Sequence, residues 1–521
     1  MESPWAPLRN RMFFILWLAQ LGSNIGAWMQ TVGAQWYLVE TGANPALVSL
    51  VQTASLVPTL LLGLIAGVLA DAFNRRRLIL GSNLFAAGAA ILLTVIAALG
   101  LLTPDSLLLY TFLIGCGVAL SAPAWQAVTP ALVPRTQIRS ASALGSVAGN
   151  AARAIGPAVG GLLVSLAGPA FVFGINAASF LGTALAVFIW RNAPDDPEDR
   201  EQIGEALAAG IRYIRAAPRI RRILLRCVFF MVPASALYAL LPVAVNGHLQ
   251  LGSSGYGLLL AALGIGAILG VVLLSRTRAI LHDNALLGLS AGVFAAGVFA
   301  AGYLPVLPLA ILLVLSGAAW INTFSTLNSA MQLTLPEWVR ARGLAIYLMV
   351  FTGTQAMASL LWGSLATAYG YAPVLEASAV VLVLVGLSVL VLPLLPRTGK
   401  LDRSVPDPEL GLEVETEPKP NDGPVTILVA YELEPDKIPD FVEAMHEVRL
   451  SRMRTGATMW ELVHSVTDSR EFREIYDVPT WREYMRQEHQ RLTGEDRTNI
   501  RRAAAMAVEE PRTRWFLPAA A

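Results

Sequence analysis

Between the apolar runs of residues 1–396, lysine and arginine are confined to every second connection. Arg9 and Arg11 come first, then Arg75, Arg76 and Arg77, then Arg135 and Arg139, then eight arginines from Arg191 to Arg226. Arg276 and Arg278, Arg340 and Arg342, and finally Arg397, Lys400 and Arg403 complete a set of 22, and the six intervening connections hold none. Membranes retain positive residues on the inner side. The pattern therefore predicts twelve crossings with both ends inside. A crossing helix needs about 20 mostly apolar residues. Runs of that kind fall at 12–39, 47–70, 77–100, 106–126, 142–167, 171–190, 224–245, 255–275, 284–303, 306–328, 343–367 and 373–395.

The rest of the chain fits this frame. At 55% hydrophobic and 14% charged residues, it is too apolar for a soluble domain, where charged residues make up about 25%. The arginines sit at loop ends and form no basic face, so no nucleic-acid partner is expected. Cys116 and Cys227 lie in or beside apolar spans and predict neither a disulfide framework nor a zinc site. The basic start before the first apolar run lacks a small-residue cleavage site, so that run reads as an uncleaved first span.

The spans divide into an N-terminal half, 1–190, and a C-terminal half, 224–395. The joint, 191–223, has apolar residues at helical spacing with arginines opposite, the pattern of a helix lying on the inner membrane surface. At an offset of 202 residues, Pro134 meets Pro336, Gly161 meets Gly363 and Arg76 meets Arg278. Such a weak repeat is common in transporters. Residues 396–424 are rich in proline and acid and read as a disordered linker. Residues 425–517 are highly charged and alternate like strands at 425–433, 457–466 and 470–478, with helical stretches at 435–454 and 479–508 and a last strand in RTRWFLP. The order β-α-β-β-α-β implies a small ferredoxin-like cytoplasmic domain. The expected fold is thus an all-α polytopic membrane protein of two six-helix halves, carrying an α+β tail.

Three groups of residues carry candidate function. The connection GVLADAFNRRR, 67–77, resembles the loop motif of the major facilitator superfamily through Gly67, Leu69, Ala70, Asp71, Arg75 and Arg76, with Ala72 and Asn74 departing from it. Gly67 permits close helix approach, and Asp71 can pair with arginine in one conformation and release it in another. In ARAIGPAVGG, 152–161, Gly156, Pro157, Gly160 and Gly161 resemble the antiporter-associated motif of drug exporters in that superfamily. The resemblance implies a bending element, with tight helix packing as the plainer alternative. Arg153, one turn earlier, would cost at least about 2.5 kcal/mol at mid-membrane. It must face a partner, a wet cavity or an anionic ligand, or else snorkel to the inner surface.

Gln20, Asn24, Trp28, Thr31 and Gln35 share one face of the first span, which lipid would not tolerate. Trp125, Gln126, Tyr238, Asn322, Thr326 and Gln355 are further candidates for a substrate-lined cavity, with interhelical hydrogen bonding the competing use. No acid falls in the middle of a span, so proton coupling would rest on Glu40, Glu376 or Asp71. No P-loop accompanies the three lysines, no histidine has metal spacing, and no cofactor is expected.

The tail segment FREIYDVPTWREYMRQEHQRLTGED resembles antibiotic-biosynthesis-monooxygenase-like, dimeric α+β barrel domains. Twelve spans with this tail resemble the enterobactin-exporter-like branch of the superfamily, the transmembrane secretion effectors. That branch carries a Trp and a His-x-Arg-x-Thr pattern where Trp481, His489, Arg491 and Thr493 stand. The resemblance implies a bacterial inner-membrane exporter, not an enzyme, working by alternating access on a small amphipathic organic compound such as a siderophore, drug or secondary metabolite. Membrane lipid surrounds it, and two tails would pair into a homodimer. A lipid transporter and a membrane-tethered enzyme or sensor acting through the tail are the rival readings.

Overall fold

A computed structural model describes residues 5–190, 210–396, 398–399, 401–405 and 418–518. The chain forms two compact units, one of Met1–Arg200, Arg226–Leu327 and Leu348–Pro393, the other of Glu201–Leu225, Asn328–Tyr347 and Leu394–Ala521.

In the first unit the long helices begin where caps dictate. Asn10 accepts from the backbone of Met12 and Phe13 and starts α1, Arg11–Glu40. Asn44 followed by Pro45 starts α2, Pro45–Ala72, and Asn74 caps α3, Arg75–Ala98. Thr103 and Ser106 form a capping box ahead of α4, Pro104–Leu132. Side-chain acceptors at these positions satisfy otherwise orphaned helix N–H groups. Helices therefore run past the apolar limits read from sequence, out to the next cap.

α5, Ile138–Ile189, joins two expected spans. Its one interior residue with non-helical backbone is Gly168, at φ 78°, directly before Pro169. Glycine tolerates that conformation, and proline cannot continue the hydrogen-bond ladder behind it. The chain therefore turns at Gly168, and the backbone stays helical through Pro157.

The second set of helices is α6, Pro218–Gly247; α7, Ser253–Ile280; α8, Asp283–Tyr303; α9, Val306–Thr334; α10, Glu337–Tyr369; and α11, Tyr371–Leu387. Among the described residues, ten helices are long and apolar enough to cross a membrane, α5 being one of them, and α11 is a shorter apolar helix. The last expected span, 373–395, is thus corrected to end at Leu387. Arg226 of α6 donates to the carbonyls of Ser388 and Leu392 and to Ser388 Oγ, occupying acceptors that further helical turns would have used.

α3 shows how the helices meet their surroundings. Ser82, Asn83, Ala86, Ala87 and Ala90 are buried, whereas Leu84, Phe85, Leu92 and Val95 are each about half exposed. Beside Ile79 and Leu93, small and polar groups face the bundle, and most of the large apolar groups face outward, the reverse of a water-soluble helix.

In the second unit, the surface helix expected over 191–223 begins outside the described residues; helix is seen from Gly210 to Arg215 before Pro218 opens α6. Residues 406–417, the middle of the expected linker, also lie outside them. Its flanks are not disordered: Gly494 N donates to Ser404 O, Gly399 N to Thr334 Oγ1, and Trp481 N to Asp422 O.

The tail runs β1 (Val425–Glu432), α12 (Ile438–Thr455), β2 (Met459–His464), β3 (Glu471–Val478), α13 (Trp481–Arg486), α14 (Gly494–Ala504) and β4 (Arg512–Phe516). The sheet is antiparallel in the order β2-β3-β1-β4, with Ile427 opposite both Tyr476 and Trp515. Alternate residues of β1 and β3, among them Val425, Ile427, Val429, Tyr431 and Tyr476, are buried with Phe441, Met445 and Val448 of α12. The single helix expected over 479–508 is corrected to two. Between them a π-helical turn, Gln487–Arg491, leads to Thr493, whose hydroxyl and backbone N–H bond Asp496 in a new capping box.

Candidate functional site

The polar stripe of α1 divides among four tasks. Gln20 and Asn24 line a cavity of about 620 Å³ that lies within α1, α3, α4 and α5. Trp28 carries the Arg153 guanidinium 5.8 Å above its ring. Thr31 bonds back to Ala27 O. Gln35 is buried and joins α1 to the second set of helices: its Nε2 donates to Tyr238 O at 3.3 Å, and its Oε1 accepts from Tyr256 OH at 2.6 Å. Trp36 stacks on Tyr256 beside it.

Of the other residues expected to meet substrate, Trp125 and Gln126 line the same cavity. The lining also includes Asn83, Ser121, Ser142, Ser146 and Thr183, and no charged side chain among the described residues. These were missed in the sequence, although Asn83, a lone amide among alanines of α3, is itself a readable signal. Tyr238 belongs elsewhere, in an aromatic group of α6, α8, α9 and α10: Trp320 lies 5.3 Å from Tyr238, 5.9 Å from Phe230 and 5.8 Å from Phe351, centroid to centroid. Asn322 follows Trp320 by two residues, and its Oδ1 is buried without a hydrogen-bond partner among the described residues. Gln355 is buried one turn after Phe351.

Arg153 stands fifteen residues from the start of α5 and fifteen from the break at Gly168. At 1.5 Å per residue this leaves roughly 22 Å of helix on either side of it. Trp28 supplies a π face, a favourable partner for a desolvated guanidinium. The Arg153 Nε is buried without a hydrogen-bond partner among the described residues.

The glycines of α5 sit at close helix approaches. A methyl group on Gly156 would lie 2.6 Å from Trp28 Cβ, and one on Gly160 would lie 2.8 Å from Met29 Cα. One on Gly161 would collide with Ser253 O and lie 2.9 Å from Gly257 Cα of α7. Gly363, its mate in the repeat, is packed in the same way against Ser49 and Pro45 O of α2. The two matched glycines thus occupy equivalent crossings, α5 with α7 and α10 with α2. Thr53 Oγ1 donates to Ala356 O at 2.8 Å, and Ala46 N to Thr367 Oγ1 at 3.0 Å, along the second crossing.

In the loop motif, nothing among the described residues lies within 4 Å of where a Cβ on Gly67 would stand. The Asp71 side chain lies outside the described residues. Arg75 begins α3. Arg76 donates to Val187 O at 3.1 Å and to Phe188 O at 2.7 Å, a cation closing the C-terminal end of α5. Of the acids expected near outer ends, Glu40 accepts from Trp36 Nε1 at 2.6 Å and Glu376 from Tyr303 OH at 2.7 Å.

A family model described as transmembrane secretion effector matches residues 2–520. The chain belongs to this family. It is a transporter of the major facilitator superfamily, a multi-pass inner-membrane protein and not an enzyme. It is 29% identical over 325 residues to the enterobactin exporter EntS of Escherichia coli O1:K1 / APEC, covering 61% of this chain and 75% of that protein. The enterobactin exporter EntS of Shigella boydii serotype 18 is 30% identical over the same shares. Among solved structures, the nucleoside transporter NupG has a TM-score of 0.57 at 12% identity, covering 73% of this chain and 98% of that one. That likeness describes the fold.

Proposed function

We propose that this transporter exports an amphipathic, siderophore-type organic compound across the inner membrane by alternating access. The observation that carries this reading is Arg153, a mid-span cation with an unused buried Nε, in a transporter that also has a cavity of neutral amides and hydroxyls. Amides and hydroxyls hydrogen-bond a polar organic molecule without demanding a fixed charge, and the guanidinium adds affinity for an acidic group. The similarity to enterobactin exporters supports the direction of transport and the substrate class.

Twelve spans in two six-helix halves follow if the two arms of α5 count separately and α11 crosses. Both termini then lie in the cytoplasm, as the arginine distribution requires. Contacts between the halves at Gln35, Thr53 and Gly161 lie toward the expected outer side, so this reading describes a state closed outside. Proton coupling falls to Glu40, Glu376 or Asp71. The tail, with its sheet order and β-α-β-β-α-β succession, is read as a ferredoxin-like module of the monooxygenase-like kind that pairs as a homodimer.

The test is gradient-driven transport by the full chain in proteoliposomes, with a catecholate siderophore and neutral amphipathic drugs as cargo. Wild type should move the siderophore, and Arg153→Ala should weaken its apparent affinity about tenfold or more, the worth of one charge-assisted hydrogen bond. Equal transport by both proteins would remove Arg153 from the site, and no movement of any cargo would overturn the substrate class.

A further inference from the structure

Arg491, the centre of the His489-x-Arg491-x-Thr493 pattern, lies on the π-helical turn of the tail. Its guanidinium is 4.9 Å from the ring centroid of Trp338, the second residue of α10. Trp338 also meets Tyr213 edge-on at 5.7 Å, and Tyr213 belongs to the connection that joins the two sets of membrane helices. Arg491 is held in that position. Its Nη1 and Nη2 donate to Glu483 at 2.7 and 3.1 Å, and Nη1 also donates to Thr455 O. Glu483 in turn receives Arg486 at 3.0 Å and faces Arg212, again from the connection, at 3.8 Å. Arg491 and Tyr213 are buried, and Glu483 is nearly so.

We propose that Arg491, Trp338, Tyr213 and Glu483 form a latch through which the tail domain holds the inner end of α10 and the connection between the halves, and so governs how readily the transporter changes access. α10 is one unbroken helix, Glu337–Tyr369. Its far portion carries Gly363 and Ala356 at the crossing with α2. A grip on Trp338 therefore acts on a lever that ends at an inter-half contact. Arg491 meets Trp338 while both of its Nη atoms donate to Glu483 and Nη1 to Thr455 O, a planar fork that a single ammonium at the same place does not reproduce. The pattern His-x-Arg-x-Thr then has a physical division of labour: Thr493 restarts the helix, Arg491 reaches the transporter, and His489 is exposed. The consequence for transport rests on the alternating-access reading; the contact itself does not.

Hydrogen exchange on the detergent-purified full chain tests both levels without any substrate. The variants are Arg491→Ala, Arg491→Lys, Trp338→Leu and the double variant Arg491→Ala/Trp338→Leu. Trp338 lies outside the tail fold, so its replacement probes the latch even if Arg491→Ala loosens the tail. In Trp338→Leu, exchange should rise severalfold at 480–497 as well as at 338–347. Arg491→Lys should resemble Arg491→Ala, and the double variant should add little to either single one. Exchange at 138–146, the cavity-lining start of α5, should shift in the same variants. Additive effects, or unchanged exchange at 480–497 in Trp338→Leu, would overturn the latch. Changes at the latch with none at 138–146 would overturn its control of access, leaving a passive brace. Loss of siderophore transport with an intact exchange response would count against the substrate class only.

Discussion

Replacing Gln35 by leucine should loosen the contact between the two sets of membrane helices at the outer side. Gln35 is 1% exposed and makes both of its hydrogen bonds across that boundary, to Tyr238 O and Tyr256 OH. Leucine has a similar size but neither donor nor acceptor. Interhelical hydrogen bonds in membranes average about 0.6 kcal/mol each, so two contribute roughly 1.2 kcal/mol. Tyr256 is also 1% exposed, and leaving its hydroxyl without this acceptor adds about 1 kcal/mol. A total near 2 kcal/mol corresponds to roughly a 30-fold change in the balance between outward-closed and outward-open forms.

The assay places a reporter thiol at Ser253, 3% exposed at the start of α7 and directly opposite Gly161. With Cys116 and Cys227 replaced by serine, the rate at which a membrane-impermeant maleimide labels Ser253→Cys measures outward opening. Labelling should accelerate about 10- to 30-fold in the Gln35→Leu background if opening precedes labelling. An unchanged rate would refute the idea that these two hydrogen bonds help hold the outer side shut.

Three further outcomes follow from the same geometry. Gly161→Val forces side-chain atoms against Ser253 O and Gly257, and should cost about 1–3 kcal/mol of packing, visible as a lowered melting temperature and lost transport. Trp28→Leu should weaken siderophore binding in the same sense as Arg153→Ala and be non-additive with it, since the indole holds the guanidinium; a double-mutant cycle on binding checks this. The third concerns acid. Burial raises the Glu483 and Asp496 carboxyls, but Arg491 and Arg486 around the first, and Arg454 and Thr493 around the second, hold both below their ordinary values of 4.5 and 3.8. Groups depressed in the folded state contribute stability that is present above the unfolded value and lost as pH falls through the lower folded one. The tail should therefore keep its tryptophan emission at neutral pH and lose it progressively below pH 4.5, and Glu483→Gln should flatten that response.

Much of this protein is legible without coordinates. The apolar runs, the alternating arginines and the gap between the runs 142–167 and 171–190 fix where helices can lie, because a backbone in lipid must satisfy its own hydrogen bonds. The strands of the tail follow from period-two burial. The glycines at 156, 160 and 161 mark close approach, because small residues set how near two helices can come. Partners were not legible. Gln20 and Gln35 look equivalent on the stripe of α1, yet one lines a cavity and the other bridges to Tyr238 and Tyr256. Trp338 reads as one more loop aromatic until Arg491, more than a hundred residues later, is brought over its ring. A sequence records which side chains a helix face carries, through a local periodicity. Which of them meet depends on how distant helices cross, and that is decided only when the whole chain packs.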